Sequence, residues 1–429
     1  MIERGPRVVV VGAGIAGAAA ALSAARSGAR VTVLDGGPGA STLATGALDR
    51  APWRPAPAAS GVPTPAREAA PPLPAPARDV LDALGVYVVE PREALVLTTA
   101  GILRPARGRD AALLDLAPLE GRPVGVVRCA RPGWDAEGLA RAWGAAFIPV
   151  DVPVLRHSDE RVLPDADFAA RHDDDARLGW LASRLREALP RGAPGDAMAG
   201  LVLPPSLGVD RPRAGELSQL VGLPCGEPLA MPGGPSGLRF ERARDRAFAS
   251  AGVERVAGRA LRVEPTGPDR AAVTWRVTRD AGDSLDADAV VLATGGLLGG
   301  GIEYTPSEAI FAMAVPPRSR TPLRASLEAP ISLGAHGRPL EAPGSLFGLA
   351  PEQIAWSFSP DGLLARAGVL AGDGGRCTGA PRGLFAAGEL VADAPRTWLC
   401  ALIAGADAGL AAAGSIGEAS PSRGPASRP

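Results

Sequence analysis

The chain has 429 residues, enough for two or three domains each with a core of its own. A formal net charge of −1 gives no electrostatic reason to expect nucleic acid or an anionic membrane surface as partner. All basic residues are arginine, the four cysteines form no C-x-x-C pair and the three histidines are dispersed, so no iron–sulfur, zinc or disulfide framework is expected.

The first element predicted is a buried strand, Arg7 to Val11, running into Gly12-Ala13-Gly14-Ile15-Ala16-Gly17 and an alanine-rich helix. This is a G-x-G-x-x-G turn in a strand–turn–helix context. Gly12 permits the tight turn, Gly14 lets backbone approach a pyrophosphate, and Gly17 lets helix and strand pack closely. The helix N-terminus offers N–H groups and partial positive charge to an anion. All six residues, Gly12, Ala13, Gly14, Ile15, Ala16 and Gly17, are therefore candidate cofactor contacts. A second strand over 29–34 ends at Asp35, placed to hold the ribose hydroxyls of an adenosine, with Gly36 beside it. The apolar N-terminus superficially resembles a secretory leader, but its glycines and the acidic residue beyond it fit a βαβ unit better. The apolar run Leu399–Ile416 contains Asp407 and glycines and reads as a buried helix, so no transmembrane segment is expected. The location expected is cytoplasmic, or peripheral at a membrane through a partner.

From Gly36 to Asp49 the chain is small, polar and glycine-containing, suited to wrapping a flat ligand; Ser41, Thr42, Thr45 and Gly46 are its candidate contacts. A proline- and alanine-rich stretch over 50–78 has neither helical nor strand period and reads as a surface excursion. Residues 79–234 mix short apolar strands, as at 86–89 and 123–127, with helices, of which 178–189 is the clearest. A helix over 238–251 and strands near 253–256, 260–263 and 272–277 follow. An apolar strand over 287–292 then opens onto Ala293-Thr294-Gly295-Gly296. The last strand runs through Gly383-Leu384-Phe385-Ala386-Ala387 into Gly388-Glu389, ahead of the C-terminal helix. Strand ends of this kind present backbone at the carboxyl edge of a sheet, where ligands sit in open α/β folds, which adds Thr294, Gly295, Gly388 and Glu389 to the candidates. The Ser-, Pro- and Gly-rich tail, 418–429, is expected to be disordered.

These three strand ends, in this order, resemble FAD-binding flavoproteins of the fumarate reductase and succinate dehydrogenase superfamily. Within it, the second subunit of the anaerobic glycerol-3-phosphate dehydrogenases is the most similar. Thr45-Gly46-Ala47-Leu48-Asp49, Gly222-Leu223-Pro224-Cys225-Gly226-Glu227-Pro228 with Pro235-Ser236-Gly237-Leu238-Arg239, and Leu292 to Gly301 carry that likeness. The resemblance implies an α/β fold with a discontinuous Rossmann-like FAD-binding domain of mostly parallel sheet and an inserted α+β capping domain. The boundaries expected are 1–80, 235–301 and 365–417 for the FAD-binding domain, and 81–234 with 302–364 for the cap. FAD is the implied cofactor and FMN the alternative. Ser41, Thr42, Thr45 and Gly46 would lie near the pyrophosphate or isoalloxazine, and Gly388–Glu389 near the ribityl chain or pyrophosphate.

The implied activity is transfer of hydride from a small hydroxylated substrate through flavin to a partner subunit or quinone, beside a catalytic flavoprotein and an iron–sulfur subunit. The chain also departs from the pattern. Where a glycine-rich turn is expected before the last helix it has Pro395-Arg396-Thr397-Trp398, with Arg396 a substitute positive charge near the ring. No position matches the catalytic arginine and histidines of the fumarate reductases, so the catalytic residues are unknown. Arg104, Arg239 and Arg396 are candidates for a substrate phosphate, and His157 and His336 weaker ones for acid–base work. A non-catalytic flavin-binding subunit that scaffolds or relays electrons is the alternative.

Overall fold

Four consecutive valines, Val8–Val11, sit at the centre of a five-stranded parallel sheet. Their strand, β1 (Arg7–Val11), pairs with β2 (Arg30–Asp35) on one side and with β4 (Ala289–Leu292) on the other. The outer strands are β3 (Glu254–Ala257) beside β2 and β5 (Leu384–Ala386) beside β4, giving the order β3-β2-β1-β4-β5. In register, Val10 faces Val33 and Val291, and all three are fully buried. A parallel sheet covered on both faces selects such unbroken apolar runs. This computed structural model describes residues 5–50, 71–119, 121–189, 198–230, 232–266, 273–304, 323–339 and 362–415. Most of the proline-rich excursion and the tail 418–429 lie outside the described residues.

The chain divides into two compact units: 1–40 with 74–80 and 247–429, and 41–73 with 81–246. The first holds the five-stranded sheet. Residues 302–304, 323–339 and 362–364 fall in it, although the sequence pattern assigns them to the cap. Helix α1 (Ile15–Arg26) links β1 to β2, and α2 (Trp398–Gly414) packs on it backbone to backbone. Gly405 and Gly409, four residues apart, share one face of α2. A Cβ on either would overlap a main-chain carbonyl of α1, that of Ala16 or Ala20 respectively. An antiparallel ribbon, Ala260–Thr266, Thr274–Arg279 and Ser284–Ala287, adds Trp275 to the core made by Val9, Val11, Leu34 and Val290. The buried Trp275 indole donates to the Arg382 carbonyl at 3.1 Å, so its polar edge is satisfied.

The second unit contains a parallel sheet of its own, in the order Cys225–Gly226, Gly200–Val202, Val124–Val127, Phe147–Val150. Val127 and Leu201 pack on Leu178, Leu181 and Leu185 of the helix Asp175–Ala188. Val126 and Val202 belong to a separate core with Leu139 and Trp143 of the helix Ala136–Trp143. The helix expected at 178 starts at Asp175 because the Asp174 carboxylate caps it, accepting from the Arg177 amide at 2.7 Å. Two strands of this sheet are only two and three residues long, too short for a periodicity to announce them.

Replacing Gly405 with valine forces α1 and α2 apart and should destabilise the chain by about 1–3 kcal/mol. Urea unfolding measures this, and a variant as stable as wild type would mean that the two backbones are not in contact.

Candidate functional site

In the first unit the carboxyl edge of the sheet is where side chains are missing. Gly12 follows β1 with φ 110°, and a Cβ there would overlap the Ala293 carbonyl at the end of β4. A Cβ on Gly17 would overlap the Gly12 carbonyl, so α1 leaves the turn as close to β1 as backbone allows. Gly388, beyond β5, has φ 71° and would bring a Cβ to 2.6 Å from that of Ala16. Gly12, Gly17 and Thr294 are thus brought together by backbone contact, and Gly388 closes on them against the Ala16 methyl. Gly14 is the N-cap of α1, with Ala13 before it and Ile15 and Ala16 opening the helix, whose first turn has no acidic residue. This cradle of main-chain groups at a helix N-terminus fits the pyrophosphate of a dinucleotide.

Asp35 ends β2, but its carboxylate has local work. It accepts from the Gly37 amide at 3.0 Å and lies 3.6 Å from the Arg255 guanidinium on β3. Gly36 follows, where a Cβ would stand 3.1 Å from Arg259 Cγ. Beyond β4, Gly295 has φ 84° and folds against Gly299, while Thr294 Oγ1 is buried beside Gly301 with no hydrogen-bond partner among the described residues.

The entry to α2 departs from a glycine turn. The Thr397 hydroxyl caps the helix, accepting from the Cys400 amide at 3.2 Å, and Trp398 is the first helical residue. Arg396 donates through Nε to the Ala365 carbonyl at 2.8 Å and through Nη2 to that of Ala367 at 2.7 Å. Gly296 makes room for it, since a Cβ there would stand 3.0 Å from Arg396 Nη1 and 2.8 Å from the Glu389 carbonyl. Burial pushes the Glu389 carboxyl above its ordinary range, with Arg396 opposing the shift. Burial likewise lowers the Arg396 guanidinium, opposed by Glu389 and Asp393.

In the second unit Ser41 and Thr42 lie in a short 3-10 turn, followed by Thr45 and Gly46. A Cβ on Gly237 would overlap the Thr42 carbonyl, and the Gly46 carbonyl accepts from the Asp110 amide at 2.7 Å. Gly46 itself has φ 102°, and a Cβ on it would stand 2.9 Å from Ser236 Oγ. Ser236 Oγ and Arg239 Nε both donate to Asp110 Oδ2 at 2.8 Å, and Arg239 Nη2 donates to Glu227 Oε2 at 2.8 Å. Arg239 Nη1 donates to the Gly208 carbonyl at 2.6 Å, and Glu227 Oε1 accepts from the Ser206 amide at 2.5 Å. Burial works against the Arg239 charge, but Asp110 and Glu227 overcome it and hold the guanidinium above its ordinary value. The expectation that Arg239 meets a substrate phosphate is therefore corrected: it is 1% exposed and its three nitrogens are taken. Arg104 pairs with Asp49. His157 and His336 are exposed. Asp110 has no sequence signal at all, whereas Glu227 and Ser236 stand inside quoted motifs without their role being visible.

The carboxyl edge of the second sheet is filled by the chain itself. Arg131 donates to the Leu163 carbonyl at 2.7 Å and to Asp165 at 2.9 Å, and stacks 4.3 Å over Phe168. Arg177 pairs with the buried Glu160 at 2.8 Å. His172, 1% exposed, faces the Phe168 carbonyl through Nδ1 at 3.2 Å. Burial first, then the charge of Arg177, lowers its pKa to about 4. Among the described residues no cluster has the makings of a metal site, and no helix is long and apolar enough to cross a membrane.

Fold and edge geometry define a dinucleotide-binding α/β protein, with a Rossmann-like sheet. Residues 7–65 match the family model described as an FAD binding domain, and the match indicates FAD as the cofactor. Nothing speaks for the FMN alternative. No curated protein matches the chain. Among solved structures, similarity is found to a 3-ketosteroid-Δ4-(5α)-dehydrogenase from Rhodococcus jostii RHA1, with 14% identity over 96% of this chain and 98% of that one and a TM-score of 0.33. An iminodiacetate oxidase from Chelativorans sp. BNC1 gives 16% identity, 96% and 95% coverage and a TM-score of 0.29. The open conformation of a flavocytochrome c3 fumarate reductase gives 13%, 96% and 79%, with a TM-score of 0.35. None of these overlaps is close enough to transfer an activity.

Two outcomes follow. Arg239→Met leaves two buried carboxylates unpaired and should cost about 3–5 kcal/mol of stability by denaturant unfolding; a neutral result would contradict the buried network. His172 is held neutral when folded but protonates near pH 6.5 when unfolded. The unfolded state thus binds the extra proton, and stability falls as pH drops from about 6.5 towards 4. The loss is up to about 3 kcal/mol, and unfolding of wild type and His172→Phe at pH 7 and pH 4.5 isolates it.

Proposed function

We propose that this chain is an FAD-dependent oxidoreductase that takes hydride from a small hydroxylated molecule and passes electrons on to a partner subunit or quinone. The observation behind the reading is the convergence of three glycine-marked strand ends on one carboxyl edge, at the segment whose sequence matches an FAD binding domain. When bound there, FAD supplies the two-electron acceptor chemistry that no side chain provides. The protein's part is to bind and to bias. Gly12, Gly14 and Gly17 would hold the pyrophosphate by main-chain N–H groups, with Ala13, Ile15 and Ala16 shaping that turn. Asp35 and Gly36 would face the adenosine side, and Thr294, Gly295, Gly388 and Glu389 would line the remaining edge. Ser41, Thr42, Thr45 and Gly46 form a rigidly supported loop suited to a flat ring. Resemblance to the second subunit of the anaerobic glycerol-3-phosphate dehydrogenases makes glycerol 3-phosphate the first substrate to try.

A second reading, a flavin-carrying subunit without catalysis of its own, is favoured by one specific observation: Arg239 and Arg104 are both engaged by carboxylates rather than offered to a phosphate. Spectroscopy of the purified chain, reconstituted with FAD if needed, separates the two. The first reading expects a bound-flavin spectrum that bleaches anaerobically with glycerol 3-phosphate or another small hydroxylated acid or alcohol. Bleaching by dithionite alone would select the second, and absence of any flavin uptake would reject both. In the same assay, Gly17→Val should lower FAD affinity at least about tenfold, because a side chain there displaces the turn from the helix.

A further inference from the structure

The loop Ser41–Gly46 lies inside the matched segment 7–65, whereas groups packed against it come from well beyond that segment. Gly46 has φ 102° and is boxed in from two elements. A Cβ on it would stand 2.9 Å from Ser236 Oγ, 3.0 Å from Asp110 Cβ and 3.1 Å from Leu113 Cδ1. Its carbonyl accepts from the Asp110 amide at 2.7 Å, and the Thr42 carbonyl fills the place of a Cβ on Gly237. The loop is thus gripped between the strand Gly108–Asp110 and the first turn of the helix Pro235–Ala251. One carboxylate locks the two jaws together. Asp110 is fully buried, and its Oδ1 accepts from the Ala112 amide at 2.9 Å. Its Oδ2 takes Ser236 Oγ and Arg239 Nε, both at 2.8 Å and both from the helix that touches the loop. Arg239 carries the tie on to Glu227 Oε2 and the Gly208 carbonyl. Desolvation offsets much of the attraction in a buried ion pair of this kind, so what it adds here is fixed geometry more than stability.

We propose that Asp110 and Ser236 are positioning residues for FAD: by clamping Thr42 and Gly46 they hold the loop in its binding shape before the cofactor arrives. The inference rests on the FAD reading above and adds to it residues that the matched segment does not contain. A loop already in its bound shape spares the cofactor the cost of ordering it, so the clamp acts on affinity. Both residues work through the loop. The helix Pro235–Ala251 and the strand Gly108–Asp110 are on this view part of the cofactor's support, although neither belongs to the segment recognised as an FAD binding domain.

The test is the FAD affinity of the full chain, read by titrating flavin-free protein with FAD, with the melting temperature of the flavin-free protein measured alongside. Ser236→Ala removes one hydroxyl and puts a better helix former in a first turn, so the melting temperature should hardly move. Its FAD affinity should fall about tenfold, the worth of one hydrogen bond to a charged group. Arg131→Met is the comparison, since it disturbs the edge of the second sheet and leaves the clamp alone. Its melting temperature should fall while its FAD affinity stays at the wild-type value. Wild-type affinity in Ser236→Ala overturns the proposal. So does an equal loss of affinity in Arg131→Met, because the effect is then one of general stability. Should Ser236→Ala fail to fold, hydrogen exchange of the wild type decides. FAD must slow the Asp110 amide, tied to the Gly46 carbonyl, more than the Val126 amide of the second sheet, and equal or absent slowing overturns the inference. A wild-type chain that takes up no FAD removes this proposal together with the flavin reading. Affinity lost in Gly17→Val but kept in Ser236→Ala removes this proposal alone.

Discussion

The first unit depends on backbone meeting backbone where side chains would ordinarily stand. Gly17 on the Gly12 carbonyl and Gly405 and Gly409 on the Ala16 and Ala20 carbonyls, with Gly388 against the Ala16 methyl, form one continuous set of close approaches. Ala16 takes part in two of them, so the same residue that opens α1 also fixes the turn beyond β5 and the position of α2. Helix separation is set by the side chains at the contact, and here there are almost none. The edge therefore presents main-chain groups in a fixed arrangement, which is what recognition of a pyrophosphate asks for.

Much of that was legible in the sequence. Valine runs gave the parallel strands, and the glycines after them marked the edge, because both signals are local: a buried strand is apolar along its length and a positive φ selects glycine. The second parallel sheet was not legible, since Gly200–Val202 and Cys225–Gly226 are too short to show a period. Arg239 was misread for a related reason. A surface arginine and one locked between Asp110 and Glu227 look the same in a sequence, and Asp110 lies far from any motif.

The two parallel sheets use charge in opposite ways. Beyond the first, Arg396 and Glu389 remain unpaired with each other, their charges shifted by burial. Beyond the second, Arg131, Arg177 and Glu160 are joined to one another's loops, and the crevice at its switch between Val124–Val127 and Gly200–Val202 is closed over by the chain's own residues. Open parallel sheets take ligands at such points. Of these two edges, among the described residues, the one with uncommitted backbone has the character of a site, and the other has become part of the scaffold.

The Arg239 network bears on how this protein can be cut and recombined. The segment matching the FAD binding domain runs from 7 to 65, but its Ser41–Gly46 loop takes its shape from Asp110, Ser236, Gly237 and Arg239. Transplanting residues 7–65 into another scaffold would carry the glycine turn intact and leave the loop without the groups that hold it. The matched stretch is thus not a unit of folding: its loop is held by residues from two other, distant parts of the chain.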